Sequence, residues 1–171
     1  MRKHLLVLLA LSALSAIAVG VAWATMGSGV TATPLARGAG GEFRIKDEGF
    51  RLRAKESTDV ALVNLKLGPN GYTGWHGHVS QSLVVVKTGQ ITMYQPARWS
   101  WAHKGPRCEV SVHNAGTTFV HPGSAHNFVN TARAADGVTP VESEIYIVYF
   151  VPEGASPAAI DVTPAPAGCP A

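Results

Sequence analysis

Two histidines one residue apart, His76 and His78, lie in the stretch Gly74-Trp75-His76-Gly77-His78. On an extended backbone residues i and i+2 point to the same side, so both imidazoles face one way, and the flanking glycines permit close backbone approach. Such a pair is half of a metal site. Alone it decides little, because a histidine can equally satisfy a core hydrogen bond. A second stretch, His121-Pro122-Gly123-Ser124-Ala125-His126 with Asn130 after it, supplies a turn and a further histidine, His126, to close a three-nitrogen set. Three neutral imidazoles suit Zn, Fe(II), Cu, Ni or Mn, with positions left for water or substrate. They leave the charge of a divalent ion uncompensated, which favours an anionic ligand. The competing interpretation is a trio of histidines that only lines a cavity.

The elements that must position these residues read as strands. Phe43, Ile45, Phe50 and Leu52 alternate with charged residues, and Val60–Leu67 continues the period of two. Gly68-Pro69-Asn70-Gly71 is a turn cluster. Leu83–Val86 and Ile91–Tyr94 flank Lys87-Thr88-Gly89-Gln90 in the pattern of a hairpin. Short strands are predicted near Arg107–Val112, Thr117–Val120 and His126–Val129, and Ile145–Val151 is a continuous apolar run expected to be buried on both faces. Nothing between 42 and 152 repeats at 3.6 residues over three turns. The expectation is an all-β domain over 41–152, a small antiparallel barrel or jelly roll. A flexible Gly/Ala/Thr/Pro-rich linker is expected over 25–40, and a Pro/Ala-rich irregular tail over 153–171.

The two histidine stretches resemble the paired motifs of the cupin superfamily, G-x5-H-x-H-x3,4-E-x6-G and G-x5-P-x-G-x2-H-x3-N. His76 and His78 match its first two ligands, Gly89 its hairpin glycine, Gly123 its turn glycine, His126 its third histidine and Asn130 its closing asparagine. Gly71 falls one residue late. The resemblance covers roughly 58–152 and implies a metal-binding β-barrel. More narrowly, the chain is similar to exported single-domain cupins of actinobacterial type that end in a cysteine near the C-terminus. Three departures stand out. The family's carboxylate ligand falls on Ser82, with Gln81 beside it; either of these, or water, would have to complete the shell. His121 replaces the second motif's proline, and Ala115 its first glycine, with Gly116 adjacent.

Composition narrows the class. The chain of 171 residues is 46% hydrophobic and 15% charged, enough for one domain with its own core. Residues 1–24 carry a signal pattern: Arg2, Lys3 and His4, the apolar run Leu5–Val19, then Ala22-Trp23-Ala24, with Thr25 as the mature start. An uncleaved anchor over Leu5–Trp23 is the alternative; either way the domain lies outside the cytoplasm. Without Arg2 and Lys3, 12 basic residues face 11 acidic ones, which leaves no electrostatic footprint for nucleic acid. Two cysteines, Cys108 and Cys169, in an exported chain favour a disulfide over two free thiols, and a loop of that length is worth roughly 4 kcal/mol.

Other residues have blander interpretations. His121 is either a spare ligand or base behind the site or, from its place before Pro122, a partly exposed turn residue. His103 and His113 are expected at the surface. Trp99-Ser100-Trp101 sets two indoles on one side, for stacking or for covering the barrel end. Glu142 and Glu144 would be a base only if they turned inward. The functional expectation is an exported domain holding a divalent metal and a small-molecule ligand. Neither nucleic acid nor, after signal cleavage, membrane is expected as a partner, and a homodimer is compatible with the chain. The alternative is a dioxygenase-like, metal-dependent enzyme, since three-histidine cupins such as thiol and diketone dioxygenases activate oxygen.

Overall fold

The computed structural model of the protein describes residues 27–97, 107–162 and 165–170. The signal pattern over 1–24, the Trp99-Ser100-Trp101 pair and His103 lie outside the described residues.

Ten strands follow one another among the described residues: β1 (Ser28–Asp47), β2 (Phe50–Tyr72), β3 (His76–Gly77), β4 (Ser82–Thr88), β5 (Gln90–Pro96), β6 (Cys108–Asn114), β7 (Thr118–His121), β8 (Asn127–Asn130), β9 (Ser143–Pro152) and β10 (Ile160–Asp161). An eight-stranded antiparallel sheet in the order β6-β5-β8-β2-β9-β4-β7, with β1 added to β2, curls into a nearly closed barrel. β3 and β10 pair separately. The expected all-β barrel is therefore what forms.

The core is built from rows that run across the ladder. Val63, Ile147, Val84 and Phe119 are successive cross-strand partners on β2, β9, β4 and β7, and Leu65, Ile145 and Val86 form the row beside them. These side chains meet inside the barrel, where Ile145 and Val84 have no exposed surface. The next row is different in kind: Ala61, Tyr149, Ser82 and His121. One end of the lumen is thus floored by hydrocarbon, while the other receives polar groups.

Four local expectations change. The linker over 25–40 is, from Ser28 onward, part of β1, which pairs with β2 along its length. Its glycines, alanines and Pro34 bury little, so composition hides it; backbone hydrogen bonds to β2 make it a strand, and Pro34 is tolerated in a strand paired on one side only. The Gly68–Gly71 cluster is not a chain reversal but a bulge within β2. Its register against β1 jumps from Leu67–Val30 to Tyr72–Ser28, with Asn70 at φ 57°. β4 and β5 are not a hairpin either. They form no ladder with each other, and Gly89 at φ 76° turns a corner between β9's side and β8's side of the barrel. A Cβ there would lie 2.9 Å from Ser143 Cα. Finally, β9 is fully buried on its inner face only; its outward residues are half-buried.

Asn130 fastens this corner. Its amide nitrogen lies 2.7–2.8 Å from the carbonyl oxygens of Leu67, Gly68 and Val141. Its Oδ1 accepts from Ala132 N–H at 2.9 Å and from the Ser143 hydroxyl at 2.7 Å, and Ser143 Oγ accepts the Gln90 N–H. The residue is 1% exposed, so water does not readily replace Asn130 for these groups. Asn130→Ala is expected to lower the unfolding free energy by roughly 3 kcal/mol in denaturant titration, because several buried polar groups lose their partner together. An exposed change such as Val138→Ala should stay within about 0.5 kcal/mol.

Candidate metal centre

The backbone sets the site before any side chain does. His76 N–H donates to His126 C=O at 3.0 Å and His126 N–H donates to His76 C=O at 2.8 Å, a closed antiparallel pair joining the first histidine stretch to the second. Two residues on, His78 N–H donates to Gly123 C=O at 2.8 Å. Gly77 and Gly123 let these segments touch: a Cβ on Gly77 would sit 3.2 Å from the Gly123 oxygen, and Gly123 itself has φ 78°. Ring centroids are 4.1 Å apart for His76 and His126, 5.0 Å for His76 and His78, and 5.5 Å for His78 and His126. One ligand nitrogen from each of the three lies within 4.8 Å of the others.

The three rings share one tautomer, and the backbone imposes it. His76 Nδ1 lies 2.9 Å from Gly74 C=O, His126 Nδ1 2.9 Å from Ser124 C=O, and His78 Nδ1 3.1 Å from Pro157 C=O. A carbonyl only accepts, so each Nδ1 carries the proton and each Nε2 keeps its lone pair. This is the second layer that metal-ligating histidines require. His126 Nε2 is buried, an acceptor with no hydrogen-bond partner among the described residues. Burial also holds the rings neutral: it pushes His78 down to about 4 and His126 well below the ordinary imidazole value, with the neighbouring histidines adding to the shift. Three lone pairs, converging and deprotonated, fit a cation.

The remaining predicted site residues divide. Ser82 points inward, 3% exposed, as the family register implied, directly across the ladder from Tyr149 and His121. Gln81 does not join the site. One residue out of phase with Ser82 on the pleat, it is exposed on the outer face beside Phe150. Glu142 and Glu144 also face outward, paired with Lys66 and with Lys87. His113 is half-buried, stacked on Phe119 at 3.7 Å, rather than free at the surface.

His121 departs most from the expectation of a partly exposed turn residue. It closes β7, is 1% exposed and lies with its ring centroid 3.6 Å from that of His126. The signal was present in the sequence: Phe119 and His121 share strand parity, so a Phe119 packed against the core carries His121 inward too. Tyr149, also missed, packs 5.0 Å from His78 and lines the pocket beside the site. That pocket, about 470 Å³, opens onto His76 and His78; Leu65, Phe128 and, from β1, Val30 give it much of its wall, with Thr31, Thr73 and Tyr149 adding polar groups.

The tail frames the site from outside. β10 pairs with β3, placing Asp161 opposite His76 and Ile160 opposite Gly77. Val162 N–H donates to Trp75 C=O, and the Trp75 indole N–H donates to Pro170 C=O. Cys108 and Cys169 form the expected disulfide, with Cα atoms 4.8 Å apart, tying the tail to β6.

No family model matches this sequence, and no curated protein matches it. Among solved structures the chain is similar to peruvianin-I, a cysteine peptidase from Thevetia peruviana latex, at 19% identity over 60% of this chain and 55% of that one, TM-score 0.46. It is similar to oxalate oxidase in complex with the substrate analogue glycolate, at 20% identity over 60% of this chain and 46% of that one, TM-score 0.47. The polyketide cyclase RemF from Streptomyces resistomycificus gives 17% identity over 81% and 75%, TM-score 0.47. The chain spans about half the length of the first two. Likenesses this distant say nothing of the reaction, and the site is interpreted from its own residues.

One consequence separates the three histidines. His76 and His126 take their Nδ1 partners from within their own loops, whereas the partner of His78 belongs to the disulfide-tied tail. In the metal-free Cys169→Ser protein, ring 15N shifts should show His78 relaxing toward a mixture of tautomers while His76 and His126 keep Nδ1–H. Hydrogen exchange at the Val162 amide should rise in the same variant.

Proposed function

We propose that this protein is an exported cupin-type domain that holds one divalent metal ion on His76, His78 and His126 and binds a small anionic ligand there. The observation that carries this is the set of three Nδ1-anchored imidazoles whose Nε2 lone pairs are left for a common partner, with that of His126 buried and unanswered. A buried acceptor without a partner costs about 1–3 kcal/mol, and a cation held by the three rings removes that cost at His126. The cupin-like motif register and the barrel that displays it support family membership. The basic and apolar start over residues 1–24 and the Cys108–Cys169 bridge support export.

When bound, a divalent ion supplies Lewis acidity to a coordinated oxygen. The chain contributes the rest. The Gly74, Ser124 and Pro157 carbonyls fix the ring orientations, the neutral ligand set selects for negative charge, and the apolar wall excludes water. A dioxygenase-like enzyme is the second reading, favoured by the pocket that opens beside His76 and His78 and admits a small molecule.

Elemental analysis of the purified mature protein should return close to one ion per chain. His78→Ala should weaken metal binding by more than about 100-fold, since removing a ligand costs more than removing a residue that merely orients one. Because the site sits at the lumen mouth, the melting transition of the metal-free variant should remain cooperative. Ser82→Glu places a carboxylate in the same inward row and should tighten binding by offsetting one unit of charge. Metal content that His78→Ala leaves unchanged, or a wild type that never retains an ion, would show that the histidines only line a pocket. Amino-terminal sequencing of the secreted form, expected to begin at Thr25, tests export.

A further inference from the structure

His121 is set opposite to its three neighbours. Its Nδ1 lies 3.3 Å from the Gly123 backbone nitrogen, whose N–H donates to it. A ring nitrogen that accepts carries no proton, so in His121 the proton sits on Nε2. That N–H is buried, and no group among the described residues accepts it. The ring borders the site, with centroids 3.6 Å from His126 and 5.9 Å from His78. His121 also shares an interior row with Ser82 and Tyr149. The cluster therefore combines three nitrogens presented as lone pairs and a fourth presented as a donor.

This arrangement argues against His121 as a fourth ligand. An Nε2 that bears a proton offers no lone pair, and His121 is not among the residues whose ligand atoms gather within 4.8 Å. It argues equally against a purely structural role, since a buried donor without a partner destabilises the fold unless something entering the site accepts from it. No described residue offers such an acceptor, which points to one brought by a ligand. A divalent ion on three neutral imidazoles leaves net positive charge beside this donor. An oxyanion answers both: one oxygen for the metal, with the donor turned to the same anion. The neighbouring pocket, lined by Leu65, Phe128 and Val30 together with Thr31, Thr73 and Tyr149, has room for a short, mainly apolar body trailing from a carboxylate.

Building on the metal-binding reading above, we infer that His121 donates its Nε2–H to an oxygen of a small carboxylate bound at the three-histidine metal site, and so selects and orients that ligand without binding the ion. It is a positioning and specificity residue.

The test uses the full mature protein loaded with Co²⁺, whose visible absorption reports the coordination shell, titrated first with metal and then with acetate and butanoate. His121→Leu should bind Co²⁺ with wild-type stoichiometry and affinity, while its acetate and butanoate dissociation constants rise about 10- to 100-fold, the loss of one hydrogen bond to a charged acceptor. His121→Gln, which keeps an N–H donor, should recover most of that affinity. In the Zn²⁺-loaded wild type, which does not depend on any variant folding, the His121 Nε2–H proton should be visible by NMR and move downfield when acetate is added. Loss of Co²⁺ from both variants would make His121 a ligand and overturn the inference. So would unchanged carboxylate affinity in His121→Leu, or an Nδ1–H tautomer in the wild type. Failure of the wild type to bind Co²⁺ at all appears in the first titration, before any carboxylate is added, and would overturn the metal reading and this inference together.

Discussion

The pair of backbone hydrogen bonds between His76 and His126 is the constraint on which the rest of the site depends. It joins residues fifty positions apart in a closely spaced antiparallel bridge, and so brings two imidazoles onto one side of the pleat at short range. Everything nearby is arranged around that contact. Gly77 and Gly123 remove side chains that would hold the segments apart. The His78 N–H extends the pairing by one step, and the carbonyls of Gly74 and Ser124, two residues upstream of their histidines, reach the rings. A substitution that opened the bridge would cost the site its geometry first, because the bridge positions the histidines while the hydrocarbon rows are held by the ladders of β2, β9, β4 and β7.

Burial then gives the arrangement its electrostatic character. Four imidazoles gathered with so little access to water cannot all carry charge. Desolvation holds His76, His78, His121 and His126 below the ordinary histidine range, and their mutual repulsion reinforces it for the last three. Neutral rings must choose a tautomer, and here the choice is made by backbone groups. A carbonyl at Nδ1 makes three of them acceptors at Nε2, and an amide N–H makes the fourth a donor. Which chemistry each histidine offers is therefore decided by the peptide unit behind it, and only secondarily by where its ring lies.

The tail shows how a segment with almost no core of its own can matter to function. Residues 153–162 bury little apolar surface, yet they supply the carbonyl that orients His78 and the short strand that backs His76. Chain entropy would ordinarily favour releasing such a segment. The disulfide opposes that by closing a long loop, and the Trp75 indole bond to Pro170 adds a second hold at the same end.

How much of this was legible in the sequence follows from the range of the forces involved. Strand parity is local, so the period-two pattern identified an all-β barrel. The i, i+2 relation of His76 and His78, with the turn and histidine of the second stretch, named the three gathered nitrogens, and the resemblance to the cupin motif, counted back from Gly89, drew attention to Ser82. Long-range pairing was not legible. β1 looks like a linker because its residues bury little, and only the partner strand makes it a strand. Leu83–Tyr94 looks like a hairpin, though its halves belong to opposite sides of the barrel. Gln81 and His121 departed from their expected positions, the first turned outward and the second buried. Pleat phase relative to the lumen is set by the neighbouring strand, which turns Gln81 out and His121 in. The amino-acid sequence by itself determined which residue types could bind a cation and on what kind of element. Only the tertiary structure decided their tautomers, because proton placement on a neutral imidazole depends on backbone donors and acceptors brought to it by folding.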